Sequence, residues 1–249
     1  MDESIQTTRH LLDLCRRSTR QGRWLFSAFL TPAEQDDFLK DPESSGLSFH
    51  FWGGTEDAER RILAAGSEEE SGPPSYPLSL IRVSPLSLRF AEKLCHPDYL
   101  GALMNLGMER SMIGDLLIRE DCAFFFCLSS SAEFLVSGLI RVRKTSVEAR
   151  EIFDAPPELA PRFQDLRFSV ASERLDSLVA GFTGLSRSQV PPLFSSGRVF
   201  VNSRPVEDRS LRLKSGDILT VRGYGKAVFD GITGETKKGR LAVLLKKYC

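Results

Sequence analysis

Residues 172–190 read SERLDSLVAGFTGLSRSQV, residues 195–206 SSGRVFVNSRPV, and residues 214–229 KSGDILTVRGYGKAVF. In the first stretch Leu175, Leu178, Val179 and Phe182 recur at helical spacing and form one apolar stripe. Ser172 is the expected N-cap, and Gly181 and Gly184 bracket the helix end. Ser186 is expected to cap a second helix with Arg187 and Ser188 in its first turn. There, open backbone N–H groups and a guanidinium fork would meet, a pairing that suits an anion. Pro191 and Pro192 fall inside that expected helix; Pro191 has no N–H to pair back, so a kink or an early end is predicted. After Gly197, residues 199–201 read as a short strand, Asn202-Ser203 as a turn and Arg204-Pro205-Val206 as the return. Residues 214–217 make a tight turn into a strand over 218–221, and a last strand is expected over 241–245.

Charge separates this block from the rest. Residues 167–249 hold 15 of the 33 Lys/Arg but only 7 of the 33 Asp/Glu, a net +8, whereas residues 1–166 carry a net −8. The formal zero of the whole chain therefore conceals a domain-sized basic block on an acidic body, which points to a polyanionic partner.

The 249 residues suffice for two or three domains, and 41% apolar residues with 17 Phe support real cores. No apolar run approaches the ~20 residues of a membrane span, and the polar start MDESIQTTRH has neither signal nor transit character. Five cysteines at 15, 95, 122, 127 and 249 lack metal-knuckle spacing, and only His10, His50 and His96 could add imidazole. Neither a metal nor a cofactor is expected, and the expected compartment is the reducing cytoplasm.

Outward from the basic block, residues 78–165 alternate strands and helices. Strands are expected in LSLIRV (78–83), LSLRFA (86–91), 113–118, 123–128 and LIRVRKTSV (139–147), with helices from Pro97 and over 129–138. Of Phe124-Phe125-Phe126, at least two are expected to be buried, so none is assigned to a ligand. Residues 1–71 read as mostly helical. A helix is expected through IQTTRHLLDLCRRSTRQGRWLFSAFL with Gly22 interrupting it, a second starts at Thr31-Pro32-Ala33-Glu34 with a capping box, and a third covers 55–65. A short strand is expected in GLSFHFWGG. The polar run GSEEESGPPSYP (66–77) is the strongest boundary, and Ala155-Pro156-Pro157 and Ala160-Pro161 interrupt the chain before the basic block. The expected class is α+β multidomain: a helical N-terminal part (1–71), an α/β centre (78–165) and the basic domain (167–249).

Several blocks match known families. Arg174-Leu175-Asp176, Ser186-Arg187-Ser188-Gln189, Gly197-Arg198-Val199 with Val201-Asn202, and Gly216-Asp217-Ile218 occur in the order and spacing of the S4 RNA-binding domain, which this segment resembles. FLTPAEQ, GGTEDAER, HPDYLGALMNLGMERSMIGDLLI (96–118) and RGYGKAVFDGITGETKKGR (222–240) extend the resemblance to the three-domain YlmH family. That resemblance implies a helical N-terminal part, a central domain like an RNA-recognition motif and a C-terminal S4 domain. It also implies ribosome-associated RNA binding, with rescue of stalled large subunits a role of some members. Two departures stand out: Pro191-Pro192 in a helix that is usually continuous, and Lys226 where arginine is common, which keeps the charge but loses the fork.

The expected partner is structured RNA: 23S rRNA of the large ribosomal subunit first and tRNA second, with neither DNA nor membrane, and a monomer off the ribosome. Contacts are assigned to Arg174, Ser186, Arg187 and Ser188 around the second helix. Arg198, Asn202, Arg204 and Lys214 are assigned on the turns. Arg222, Tyr224 and Lys226, with Lys237, Lys238 and Arg240, complete the set; Tyr224 is a ring on which a base could stack. The enzyme alternative rests on Arg174-Leu175-Asp176, which resembles the catalytic aspartate segment of pseudouridine synthases. Only 73 residues follow Asp176, too few for that fold, and no P-loop, HExxH or supported serine–histidine arrangement occurs. A protein-interaction module, with the acidic N-terminal part as its surface, is the remaining alternative. The sequence reading is a non-catalytic RNA-binding protein.

Overall fold

The computed structural model describes residues 3–154, 156–159, 163–237 and 239–248. The fold is mixed α+β in two compact units, Met1–Ala160 and Pro161–Cys249. Ala155, Ala160 and Pro161, read above as part of a break, lie outside the described residues.

The first unit opens with α1 (Glu3–Gln21), which buries Leu11, Leu12, Leu14 and Cys15 on one stripe. Gly22 ends it at φ +60, its N–H donating to the Ser18 carbonyl (2.9 Å). The chain does not re-enter a helix there. It forms strand β1 (Leu25–Leu30), correcting the helical reading of this run; the left-handed residue turns the backbone and the following aromatics alternate across a sheet. Helix α2 (Pro32–Lys40) has the expected capping box, with Glu34 N–H on Thr31 Oγ1 (3.3 Å) and Thr31 N–H on Glu34 Oε2 (2.7 Å). Strand β2 (Phe49–Trp52) pairs with β3 (Arg61–Ala65), and the sheet order is β1-β3-β2. The expected helix over 55–65 is thus a turn and a central strand. Ile62, Leu63, Ala64 and Ala65 are all fully buried, which a strand covered on both faces achieves and a one-sided helix does not.

After a short α3 (Glu68–Ser71), β4 (Leu78–Pro85) starts the larger sheet. The expected strand over 86–91 is instead a loop with one 3-10 turn, Leu88–Phe90. Helix α4 (His96–Asn105), strands β5 (Ile113–Ile118) and β6 (Ala123–Leu128) and helix α5 (Ala132–Gly138) follow. Residues 139–147 are not one strand: β7 (Arg141–Val142) turns at Arg143-Lys144 into β8 (Thr145–Ile152). The order β5-β6-β4-β8-β7 is antiparallel throughout, a βαββαβ arrangement with one added strand. Ile81, Val83, Phe125 and Cys127 share one buried cluster with Tyr99 and Leu103 of α4 and Leu135 of α5. A second cluster joins Leu80, Phe124, Cys122 and Leu159. Phe124 and Phe125 are buried and Phe126 is half-buried, as expected.

The two sheets of this unit are tied together by arginines. Arg60 donates to the carbonyls of Ile113, Phe29 and Arg110, each at 3.1 Å, while Asp115 accepts the Glu59 N–H (2.6 Å). Glycine permits the close approach: a Cβ on Gly54 would lie 2.4 Å from the Phe126 ring.

The second unit starts with β9 (Phe163–Val170), then α6 (Leu175–Thr183) and the five-residue α7 (Pro191–Ser195). Strands β10 (Val199–Val201), β11 (Arg204–Pro205), β12 (Ile218–Val221), β13 (Gly225–Glu235) and β14 (Leu241–Tyr248) complete a six-stranded antiparallel sheet ordered β11-β10-β12-β13-β14-β9. Two register shifts in β13, near Gly231 and Gly234, bend it along its length. The stripe Leu175, Leu178, Val179, Phe182 packs on Val199, Leu219, Val221, Val243 and Leu245. Gly181 lets α6 meet β9, because a Cβ there would sit 2.1 Å from the Phe168 ring.

Candidate nucleic-acid interface

The α6 entrance differs from the expected one. Arg174, not Ser172, is the cap residue, with no side-chain cap; the Ser172 hydroxyl instead meets the Ser177 hydroxyl (3.0 Å). The first free N–H groups are satisfied by the 208–213 loop, Leu175 N–H on the Leu211 carbonyl (2.9 Å) and Asp176 N–H on that of Arg209 (3.1 Å). Main-chain carbonyls therefore replace the cap, and this helix start is closed to an anion. The Arg174 guanidinium reaches Asp176 at 3.0 Å, which holds the arginine further in its charged form. Burial would raise the Asp176 carboxyl; the hydrogen bond and charge of Arg174, with help from Ser177, outweigh it and hold the carboxyl below its usual range.

Ser186 does not cap a helix. Its carbonyl accepts the Gln189 N–H (3.0 Å), and Gln189 Oε1 accepts from the Ser186 hydroxyl (2.8 Å) and N–H (3.0 Å). The Ser188 hydroxyl lies 3.0 Å from that of Ser186. Residues 186–189 form a locked turn, and α7 begins only at Pro191. Pro191 and Pro192 lack the N–H groups that would bond back to Arg187 and Ser188, so the expected early break falls before the helix. Arg187 stands exposed on this turn, with no hydrogen bond or ion pair among the described residues.

A groove of about 570 Å³ runs between this turn, α6 and the end of β9. Four of the residues assigned from sequence line it: Arg174, Ser186, Arg187 and Arg240. Arg240 is anchored there by donating to the Ser169 carbonyl. Ser169, Ser172 and Ser177 add polar groups, and the Asp176 charge is offset by Arg174. Such a wall of guanidinium and hydroxyl donors is suited to phosphate oxygens.

A second cluster lies on β10, β12 and β13. The Arg198 fork is spent on the Arg222 carbonyl (Nε 3.2 Å, Nη2 2.5 Å), and its Cζ lies 5.9 Å from the Tyr224 ring centre. Arg222 stacks over Phe200 at 4.5 Å, and Lys226 Nζ lies over Tyr248 at 4.6 Å. Tyr224 is half-buried against the core, offering one edge rather than a whole face.

The remaining assigned residues sit on turns. Asn202 and Ser203 both take positive φ (49° and 64°) and close a two-residue hairpin between β10 and β11. Asn202 spends both ends of its amide there, Nδ2 on Asp217 (2.9 Å) and Oδ1 on the Ile218 N–H (2.9 Å). Its side chain builds the turn that presents Arg204. Lys214 is exposed at the 214–217 turn, which its N–H closes on Asp217 (2.7 Å), and Lys237 is exposed on the β13–β14 hairpin. Lys238 lies outside the described residues.

Lys247 was not singled out from sequence. It pairs with Ala227 across β14 and β13, on the face that packs against α6, and its Nζ lies 5.8 Å from the Phe182 ring centre. The alternation in LAVLLKKY is the signal that could have found it, since it carries Lys247 onto the face of Val243 and Leu245, at the end of the strand. Among the described residues no group of three His, Cys, Asp or Glu could hold a metal, and no helix is long and apolar enough to cross a membrane.

Residues 74–154 match the family model described as the putative RNA-binding domain in YlmH. The chain is 28% identical over 235 residues to the ribosome-associated protein quality control protein P2 of Bacillus subtilis (strain 168), covering 91% of this chain and 88% of that protein. The solved cell division protein YlmH from Streptococcus pneumoniae shares the fold over 61% of this chain and 93% of its own, at a TM-score of 0.50 and 18% identity. With the S4 motif residues gathered in one basic unit and a βαββαβ sheet in the other, the chain is similar to the YlmH-like S4-domain RNA-binding proteins over most of its length.

Proposed function

We propose that this protein is a non-catalytic, ribosome-associated RNA-binding protein whose C-terminal unit holds structured ribosomal RNA, in quality control of stalled large subunits. The observation that carries this reading is the groove that joins Arg174, Ser186, Arg187 and Arg240 in the unit with net charge +8. Similarity along 91% of the chain to a protein named for ribosome-associated quality control supports the cellular role. The proposed target is 23S rRNA, with tRNA as a second contact, and the place of action is the cytoplasm. Recognition rests on phosphate positions and helix shape more than on base edges. The βαββαβ order supports reading residues 78–165 as an RNA-recognition-motif-like domain between an N-terminal domain (1–71) and the S4 domain (167–249). Asp176 is engaged by Arg174 and Ser177, which suits a structural carboxylate better than a nucleophile.

The test is crosslinking of the protein to RNA in cells, followed by mapping of the crosslinked nucleotides. Crosslinks concentrated in the large-subunit rRNA are expected. Crosslinks scattered over messenger RNA, or confined to the small subunit, would contradict the proposal.

A further inference from the structure

In an RNA-recognition motif RNA ordinarily meets aromatic side chains on the open face of the sheet. Here that route is obstructed: Phe124 is only 3% exposed and packs with Leu80, Cys122 and Leu159, while the half-buried Phe126 ring is pressed against Gly54. Apart from Phe134 and Phe153, which are exposed elsewhere, one group of solvent-facing aromatic and cationic side chains of this unit is collected at the far edge of the same sheet. The 86–92 loop is stapled along the β7–β8 turn, with Leu86 N–H on the Ser146 carbonyl (3.0 Å), Glu92 N–H on Thr145 Oγ1 (3.0 Å) and Lys144 N–H on Glu92 Oε2 (3.1 Å). Phe90 is 78% exposed, with the Arg89 guanidinium 5.5 Å from its ring centre, and Leu88 on the same loop and Ile140 just before β7 are 63% and 69% exposed.

Arg89, Lys93, Arg141, Arg143 and Lys144 are all exposed on these two segments. The neighbouring carboxylates are engaged, Glu92 by the Lys144 N–H and Asp98 by Arg143 (3.4 Å) and the Cys95 N–H (2.9 Å). Arg143 holds a left-handed backbone (φ +52), a conformation that is costly for a residue with a side chain, and so places a cation at the hairpin tip. A protein-docking face would bury its apolar groups among few like charges. Five exposed cations and an open phenyl ring on two segments hydrogen-bonded to each other, on a unit that is otherwise net acidic, match a single-stranded or looped RNA instead.

We propose that the loop 86–93 and the β7–β8 hairpin form a second RNA-binding surface, which clamps the backbone of unpaired RNA and stacks a base on Phe90. This rests on the RNA-binding reading given above.

The experiment compares three full-length variants with the parent for binding to large-subunit rRNA over a salt series. They are the triple change Arg89→Gln, Arg141→Gln, Lys144→Gln; Phe90→Ser; and Arg187→Glu in the other unit. All replace exposed side chains, and thermal melts establish that each is folded. The triple variant should bind at least tenfold more weakly and flatten the slope of log affinity against log salt by about 2, for three lost phosphate contacts. Phe90→Ser should lose about fivefold or more.

Weakening by Arg187→Glu alone, with the triple and Phe90→Ser at parental affinity, overturns this surface and leaves the RNA-binding reading intact. Parental affinity in all three contradicts both. Retained binding to free rRNA with lost sedimentation on large subunits would make the surface a protein-docking site and likewise overturn the proposal. Should the triple variant fold poorly, photocrosslinking the parent to rRNA decides: the crosslinked peptide containing Phe90 is expected, and crosslinks confined to peptides of the 163–248 unit are the contrary result.

Discussion

Arg174 Nη2 stands 3.0 Å from Asp176 Oδ2, across the first turn of α6 and on the wall of the basic groove. The pair is local, with 50% and 29% of the two side chains exposed, so solvent screens it and its contribution to stability is small. Its role is geometric: it neutralises a carboxylate that would repel phosphate and holds one nitrogen edge of the guanidinium in place.

D176N should therefore lower the melting temperature by a few degrees at pH 7 and leave the RNA chemically unchanged. Because the folded state depresses the Asp176 carboxyl, its stabilisation is present above the unfolded carboxylate pKa and disappears as pH falls through the folded value. Melting curves of parent and variant should converge as the pH is taken below the usual carboxylate range. Mass spectrometry of bound RNA that found pseudouridine made by the parent and abolished by D176N would instead establish an enzyme.

Removing Arg60 should loosen the first unit as a whole. Its guanidinium serves one carbonyl on each sheet of that unit, Phe29 and Ile113, and that of Arg110 on the turn before β5. Burial pulls it, and Arg110 to about 10, below the usual arginine range, and Asp115 opposes the shift in both; each stays protonated at neutral pH. R60M keeps most of the stem but strands those acceptors, a loss of about 3 kcal/mol in urea denaturation. A loss under 0.5 kcal/mol would mean that the arginine is not what holds the sheets.

Thiol labelling should separate the cysteines. Burial pushes Cys15 up to about 11 and Cys127 to about 12, so both should resist alkylation until the chain unfolds. Cys95 is exposed, but its hydrogen bond to the Asp98 carboxylate raises its pKa. Among the described cysteines it should label first, and D98N should speed it further by replacing the charged acceptor that favours the protonated thiol with a neutral one. Peptide mapping after timed iodoacetamide exposure checks both statements.

Replacing Pro191 and Pro192 together by alanine returns two donors whose partners would be the carbonyls of Arg187 and Ser188. The turn 186–189 should then join α7, with a gain of about one helical turn in circular dichroism. Unchanged helicity would show that the Ser186–Gln189 lock, rather than the prolines, sets the break.

The S4 elements were legible because each leaves a local mark: the stripe of α6, the Asn202-Ser203 turn, and the strands 199–201 and 218–221. The helix starts were not. Whether Ser172 or Arg174 begins α6 is decided by carbonyls of Leu211 and Arg209, some 35 residues downstream. Strand β3 was misread because Ala58, Ile62 and Ala65 also satisfy a helical period, and only burial on both faces distinguishes the two. The groove itself was invisible in sequence, since Arg240 reaches it from a hairpin that returns beside β9. The RNA residues were named singly; the fold decides which of them share a wall.

Full-length R187E and R9E provide the most direct measurement of the central claim, each titrated against large-subunit rRNA at several salt concentrations after melts confirm folding. Arg187 faces the groove without a protein partner among the described residues, whereas Arg9 lies on α1 in the acidic unit. R187E should cost at least tenfold in affinity and flatten the salt dependence, and R9E should cost less than twofold. Equal losses in the two variants, or none in R187E, would contradict the groove as the RNA site.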